Sequence, residues 1–242
     1  MSPQVRVAIL DDHQSIIDGY TYRLSVVPEI QIVATAVYGE DLETILASHK
    51  VDVLLLDVSV PYSSENHNPF PILHVIPGLL QRYPRLNILI ISMFTQCSLV
   101  EALVNVGISG YIFKDDQASI QQLAKIVGTV ANGGIYFSQG AYRDSHGESS
   151  ESVLTPRQLE AISLCAAHPD ADTTVLADKL GISGSTLRNL LSSAYLRLGG
   201  RTRAAAIARA HQLGMFPSSL ETDVEVRKKP KKPRPKPSRR RL

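Results

Sequence analysis

The amino-acid sequence predicts an α/β domain with a doubly wound parallel sheet, followed by a separate all-α domain. Apolar runs alternate with amphipathic segments through the first half of the chain, which is typical of a parallel sheet covered by helices on both faces. From Leu154 onward the apolar period is helical. A polar, Gly/Ser-rich stretch separates the two patterns, so two domains are expected.

The first domain is predicted to contain five strands. Apolar runs indicate strands at residues 5–10, 31–37, 51–56, 87–91 and 110–113. Helices are predicted near residues 14–27, 40–49, 71–83, 96–106 and 117–132. Such units fit a small five-stranded doubly wound domain.

The domain boundaries follow from composition. We assign residues 1–137 to the sheet domain, 138–153 to a linker and 154–216 to a four-helix domain. Thr155 is a predicted N-cap with Pro156 at the first helical position, and further helices are predicted at residues 172–180, 184–198 and 202–213. Residues 217–242 are basic and Pro-rich and are predicted to be a disordered tail.

Charge is distributed unevenly along the chain. Residues 1–154 carry a net charge of −8, residues 155–216 of +3 and residues 217–242 of +7, which indicates modules with different partners. The two cysteines, Cys97 and Cys165, offer neither a metal spacing nor a disulfide framework. We find no signal peptide and no apolar stretch of the ~18–20 residues that a membrane helix requires. A cytoplasmic protein without a membrane partner is therefore expected.

Five polar residues follow the predicted strands. Asp11 and Asp12 follow the first strand, Asp57 the third, Ser92 the fourth and Lys114 the fifth. If these strands are neighbours, all five side chains meet at one edge of the sheet. Each alone is common in turns and caps, but together they suit a divalent cation such as Mg²⁺ and a phosphoryl group. Asp57 is then the natural nucleophile, which would form an acyl phosphate.

The first domain resembles the CheY-like receiver domains of two-component response regulators. The resemblance covers about residues 4–133 and rests on the acidic pair, "LLLDVSVP", "ILIIS" and "GYIFKD". It implies that a sensor histidine kinase phosphorylates Asp57 and that Ser92 and Tyr111 are switch residues. Lys114 would contact the phosphoryl group.

The resemblance also implies Mg²⁺ bound by Asp12, Asp57 and the backbone carbonyl of Ser59, with Asp11 assisting. Such a protein is not an enzyme, although a receiver catalyses its own phosphotransfer and autodephosphorylation. An aspartyl phosphatase is the enzymatic alternative. Those enzymes need a general acid two residues after the nucleophile, and Ser59 stands there, which argues against this alternative.

One segment departs from the receiver pattern. After Pro61 the connection YSSENHNPFP is longer than is usual in the family, and a helix is predicted to begin near Pro71. We interpret residues 62–70 as a tolerated surface insertion. The alternative is that they change the choice of kinase or the rate of dephosphorylation.

The segment VLADKLGISGSTLRNLLSSAYLRLG predicts a helix-turn-helix, with Gly181 ending one helix and Ser183 capping the next. An apolar face of the second helix is formed by Leu187, Leu191, Ala194, Tyr195 and Leu198. Its polar face is formed by Ser185, Arg188, Asn189 and Ser192, residue types that read base edges in the major groove. Arg157, Arg201 and Arg203 are predicted to contact phosphates. The alternative is a plain helical bundle with a solvated polar face.

Residues 154–214 resemble the four-helix DNA-binding domain of the NarL/FixJ (LuxR-type) regulators, and a receiver followed by this domain is typical of that subfamily. The resemblance implies double-stranded DNA as a partner and a homodimer formed through the last helix. Gly184, Leu190 and Ser192 stand where Glu, His and a basic residue are common, which puts the recognised DNA sequence in question.

The sequence therefore predicts a transcriptional regulator controlled by phosphorylation of Asp57, which leads to dimerisation and release of the recognition helix. Before phosphorylation, the receiver is expected to occlude Arg188 and Asn189. The alternative is a regulator of the same fold that binds DNA without phosphorylation and is controlled by its level or by a ligand. The ten cations in the last 16 residues are expected to add non-specific phosphate contacts. The alternative is a tail that only aids solubility.

Overall fold

A computed structural model describes residues 4–138 and 153–215. Within them, parallel strands form one sheet in the order β2-β1-β3-β4-β5-β6. The strands are β1 (Val5–Leu10), β2 (Ile30–Ala36), β3 (Val53–Leu56), β4 (Asn87–Ser92), β5 (Gly110–Phe113) and β6 (Tyr136–Phe137). The predicted parallel α/β fold is confirmed, and the sheet has one strand more than the five predicted.

Helices cover both faces of this sheet. They are α1 (Gln14–Ser25), α2 (Asp41–Ser48), α3 (Ile72–Arg82), α4 (Cys97–Asn105), α5 (Gln117–Gln121) and α6 (Leu123–Ala131). Successive strand residues point to opposite faces, so Val53 and Leu55 pack with α1 and α6, whereas Leu54 and Leu56 pack with α2, α3 and α4. The predicted helix at 117–132 is interrupted at Gln122.

The extra strand β6 lies at the predicted end of the sheet domain. It pairs with β5, and the Ser138 amide donates to the carbonyl of Tyr111 at 2.9 Å. Ser138 is buried, so the residue predicted to start the linker packs within the sheet domain. Its polar side chain suggested a linker, whereas its backbone extends the sheet. The rest of the predicted linker, except Val153, and the predicted tail lie outside the described residues.

The second domain contains the four predicted helices. They are α7 (Pro156–Ala167), α8 (Thr173–Lys179), α9 (Gly184–Leu198) and α10 (Arg203–Gln212). The Thr155 hydroxyl accepts from the Gln158 amide, while the Gln158 side chain accepts from the Thr155 amide at 2.9 Å. This capping box fixes the start of α7. α7 packs against α9 and α10 on one side and against α3 and α4 of the sheet domain on the other.

None of the helices in the described parts of the chain combines the length and apolar character that a membrane crossing requires.

Candidate functional site

The sheet order brings polar residues together at one edge. β1, β3, β4 and β5 are adjacent, and the carboxyl ends of parallel strands lie on the same edge. Asp11 and Asp57 follow β1 and β3, Ser92 ends β4, and Lys114 follows β5. The Asp57 amide donates to the carbonyl of Leu10 at 2.9 Å, which holds the loop after β3 against β1. Asp11, Asp57 and Ser92 are all buried.

The ammonium of Lys114 lies between the two buried carboxylates. Its Nζ is 2.7 Å from Asp11 Oδ2 and 2.8 Å from Asp57 Oδ2. Burial lowers the pKa of Lys114, but the charges of Asp57 and Asp11 outweigh burial, so its pKa is raised. Burial and the charge of Asp57 raise the pKa of Asp11 despite the contact with Lys114. One ammonium thus faces two carboxylates, which leaves negative charge that a cation would stabilise.

The second oxygen of Asp57 has no partner. Oδ1 is buried and makes no hydrogen bond to any described residue. A buried charged oxygen without a partner is costly, so its position marks a place for a cation or an incoming group. The unpaired oxygen and the excess negative charge both fit a hard divalent cation.

Asp11, Asp12 and His13 place potential ligand atoms within 4.8 Å of one another. His13 Nδ1 lies 2.7 Å from Asp12 Oδ1. Sequence reasoning did not assign His13, whose only signal was its place directly after the acidic pair. Asp57 lies outside this close group, with Oδ2 held by Lys114. Ser59 is partly exposed in the loop after Asp57.

The two predicted switch residues meet at the loop after β4. The Ser92 hydroxyl accepts from the Phe94 amide at 3.3 Å, and the Tyr111 hydroxyl donates to the Phe94 carbonyl at 2.6 Å. Tyr111 is fully buried, and burial raises its pKa. The Tyr111 side chain therefore lies inside the domain, where it fixes the loop that starts at Ser92.

The predicted helix-turn-helix is present. Gly181 takes the left-handed conformation (φ 62°) after α8, and the Ser183 hydroxyl caps α9 by accepting from the Thr186 amide at 3.1 Å. Four of the predicted apolar residues are buried, namely Leu187, Leu191, Ala194 and Leu198, and Tyr195 is half-buried. The predicted contact residues Ser185, Arg188, Asn189 and Ser192 are exposed.

The expectation that the receiver occludes Arg188 and Asn189 is wrong for this structure. Both side chains are exposed, because α3 and α4 of the receiver pack on α7 instead of α9. α7 thus lies between the two domains and contacts helices of both.

The three arginines predicted to hold phosphates differ in their surroundings. Arg201 is exposed. Arg203 Nη1 donates to the carbonyls of Pro169 and Ala171, at 3.2 and 2.6 Å, so its guanidinium fastens the turn between α7 and α8. Arg157 pairs with Glu160 and donates to the carbonyl of Leu180 at 2.9 Å. Only Arg201 is thus exposed and without such contacts.

The fold and the pocket together define a class of protein: a receiver-type α/β domain joined to a helix-turn-helix domain. A family model described as the response regulator receiver domain matches residues 7–127. The transcriptional regulatory protein MctR of Rhizobium johnstonii is 27% identical, over 88% of this chain and 96% of its own length. The transcriptional regulatory protein DegU of Brevibacillus brevis is 26% identical, over 87% of this chain and 94% of its own.

Solved structures support the same arrangement of the fold. The RcsB response regulator of Salmonella typhimurium has a TM-score of 0.61 and 21% identity, over 88% of this chain and 99% of its own. RcsB from Salmonella enterica serovar Typhimurium, bound to the promoter rprA with the phosphomimetic BeF3⁻, has a TM-score of 0.61 and 20% identity, over 85% of this chain and 98% of its own. The chain belongs to the response regulators, in the NarL/FixJ arrangement of receiver and helix-turn-helix. Its relatives are named as regulators and not as enzymes.

Proposed function

We propose that this protein is a cytoplasmic transcriptional regulator whose binding to double-stranded DNA is controlled by phosphorylation of Asp57 from a sensor histidine kinase. The observation that carries the proposal is the unpaired Oδ1 of Asp57 beside the ammonium of Lys114. A buried carboxylate with one oxygen held and the other free is oriented for in-line attack on phosphorus. The family to which the chain belongs supports the same role.

The proposed reaction transfers a phosphoryl group to Asp57. Oδ1 attacks the phosphorus of a phosphohistidine, an O–P bond forms, and the P–N bond breaks with its electron pair returning to the imidazole nitrogen. Lys114 Nζ, 2.8 Å from Asp57 Oδ2, would contact the new phosphoryl oxygens, with the Ser92 hydroxyl as a second donor. A bound Mg²⁺ would supply positive charge for those oxygens, and Asp11, Asp12, Asp57 and the carbonyl of Ser59 are the residues that would hold it.

The proposed DNA contacts lie on the exposed face of α9. Arg188 and Asn189 suit guanine and adenine edges, with Ser185 and Ser192 beside them. Arg201 suits a backbone phosphate, whereas Arg203 would need to give up its two carbonyl contacts to bind one. A homodimer through α10, where Ala204, Ala205 and Ala208 are exposed, would present two copies of α9 to a palindromic site.

Phosphorylation can be tested with acetyl phosphate and Mg²⁺ on a phosphate-affinity gel. The wild type should give a retarded band that is lost in Asp57→Asn. Asp41→Asn is the control, because Asp41 is exposed at the start of α2, and it should shift like the wild type. A band of equal strength in Asp57→Asn would overturn the assignment.

The second candidate is a regulator of the same fold that binds DNA without phosphorylation. It is favoured by one observation: the α9 contact residues are exposed, with the receiver packed on α7 and not on α9. Fluoroberyllate with Mg²⁺ distinguishes the two in a DNA-binding titration of the full chain. Tighter binding or dimerisation on addition supports phosphorylation control, whereas equal affinity with and without fluoroberyllate supports the second candidate.

A further inference from the structure

The departing segment 62–70 and the preceding Pro61 fold back as a hairpin loop, named the insertion hairpin below. Pro61 forms an antiparallel bridge with Pro69. Its backbone hydrogen bonds run from Phe70 N to Val60 O, from Tyr62 N to Asn68 O and from Ser63 N to Asn66 O, at 2.9, 2.9 and 3.0 Å. Ser64, Glu65 and His67 at its tip are exposed, as expected of a surface insertion, whereas Ser63, Pro69 and Phe70 are buried at its base.

The insertion hairpin is fastened to the loop between β2 and α2. The amides of Gly39 and Glu40 donate to the carbonyls of Pro61 and Tyr62, both at 2.9 Å. The ring of Phe70 lies directly on Gly39, where a built Cβ atom would be 2.2 Å from Phe70 Cγ. Only glycine leaves room for this ring, so the base of the hairpin has one defined position.

The other side of the insertion hairpin faces the helical domain. The Tyr62 ring meets the His168 ring edge-on at 5.3 Å between centroids and contacts Phe70 at 5.7 Å. Burial and the charge of Lys179 lower the pKa of His168, which favours the neutral form of its ring. Next to this contact, His74 Nδ1 of α3 lies 3.2 Å from Glu160 Oε1 of α7.

Two loops connect the phosphoacceptor pocket to the helical domain, each through a contact of its own. The first runs from Asp57 through the buried Val58 and Val60 into the insertion hairpin. The second starts at Ser92 and ends at Gln96, whose side chain lies against Gly214 at the end of the helical domain, so that a Cβ atom there would be 2.2 Å from Gln96 Nε2. Both domain contacts thus begin at residues of the pocket.

We propose that the insertion hairpin is a docking element whose partner is the turn after α7 in the helical domain of the same chain, with Tyr62 as its anchor. In this role the hairpin helps to hold the helical domain in its position on the receiver. It does not cover the recognition helix α9, whose contact residues stay exposed. The second part of the inference rests on the proposed function: docking conveys the state of Asp57 to the helical domain.

Docking is tested on the full chain by ¹⁵N relaxation, which reports whether the two domains tumble together. The variants are Tyr62→Ala, His168→Ala and the double variant, and Tyr22→Ala is the matched control, since Tyr22 is 73% exposed on α1. An aromatic edge contact of this kind corresponds to a change of about two- to tenfold in the docking equilibrium. Each single variant should shift the equilibrium toward independent tumbling, and the double variant should shift it little further, because both remove the same contact.

If the two domains tumbled together in both single variants as they do in the wild type, the hairpin would not be a docking element. Additive effects in the double variant would also overturn it, since the two rings would then act separately. His168→Ala protects the test against a folding defect in the receiver, because it removes the contact from the other domain.

The coupling has its own readout, which is DNA affinity with and without fluoroberyllate. Tyr62→Ala should reduce the ratio of the two affinities, whereas Tyr22→Ala should keep it. An unchanged ratio in a Tyr62→Ala protein whose domains tumble separately would overturn the coupling. A wild type without any fluoroberyllate effect would overturn the proposed function instead, and tumbling alone would then decide the docking element.

Discussion

The two aspartates at the ends of β3 have opposite surroundings. Asp52, before the strand, accepts from the amide, Nε and Nη2 of Arg6 at 2.8, 2.8 and 2.6 Å. Asp57, after the strand, has one oxygen on Lys114 and the other without a partner. A carboxylate whose two oxygens both accept hydrogen bonds stabilises the fold. A buried carboxylate with one oxygen left without a partner is available for chemistry. Their difference explains why only Asp57 is a candidate nucleophile.

Asp52→Asn is expected to lower the free energy of unfolding by about 1.5 kcal/mol at neutral pH, since it weakens charged hydrogen bonds at a partly exposed site. The Arg6 hydrogen bond lowers the pKa of Asp52 in the folded protein. The stabilisation is therefore present above the unfolded pKa and is lost as pH falls through the lower folded value. Urea titrations from pH 7 to pH 3 should show the two proteins converge in acid. Asp115→Asn, at an exposed site, should match the wild type throughout, and a constant gap between wild type and Asp52→Asn would contradict the explanation.

Gly39→Ala is expected to destabilise the protein by about 1–3 kcal/mol, because the new methyl group overlaps the Phe70 ring and the ring is held by the insertion hairpin. Gly19→Ala is the matched control, since Gly19 lies exposed in α1 with nothing within 4 Å of a built Cβ atom. That change should stabilise the protein by about 0.5–1 kcal/mol. Denaturant midpoints measure both effects. If the two substitutions shifted the midpoint in the same direction, Phe70 would not occupy the stated position.

At the scale of elements, the sequence predicted what depends on local periodicity. β1 and β5 match their predicted residues, and α9 begins and ends as predicted. β6 was missed because two residues carry no readable period, and it exists only through pairing with β5. The insertion hairpin was missed because its backbone hydrogen bonds join residues of a polar segment that has no apolar period. Its position also depends on Gly39, which lies in another loop.

Ser183→Ala is expected to destabilise the helical domain by about 1 kcal/mol, because the first turn of α9 loses its side-chain acceptor for the Thr186 amide. Ser192→Ala is the control on the same helix, at an exposed position without a described hydrogen bond. It should be neutral or slightly stabilising, since alanine favours helix. Thermal unfolding followed by circular dichroism gives both values, and equal losses would argue against the cap.

At the scale of the whole molecule, α7 is the shared element of both domains. Its sides meet α9 and α10 as well as α3 and α4, and nine of its residues are buried. The residues of the acidic pocket could be predicted, because strand ends converge in any sheet of this order. The contact between Tyr62 and His168 could not, since it depends on the packing of two domains whose surfaces show no shared pattern in sequence.

The charge asymmetry along the chain leads to a prediction for DNA binding. Residues 227–242 hold ten cations, and each phosphate they neutralise contributes about 0.9 to the slope of log K against log salt. Three or four engaged residues would contribute about 3 to that slope. Removal of residues 227–242 should therefore flatten the salt dependence by about this amount and weaken binding to any duplex, while the preference for the specific site is kept.

The matched variant keeps the prolines of this segment and replaces its lysines and arginines by glutamine. It should behave like the truncation if charge alone matters. Arg188→Ala should instead reduce the preference for the specific duplex and leave the salt slope nearly unchanged. A base contact contributes to discrimination between sequences and little to the general affinity. Salt titrations of fluorescence anisotropy on a specific and a scrambled duplex separate the two effects. A truncated protein with an unchanged slope would show that the basic segment does not reach the DNA, and the +3 charge of residues 155–216 would then account for the electrostatic part of binding.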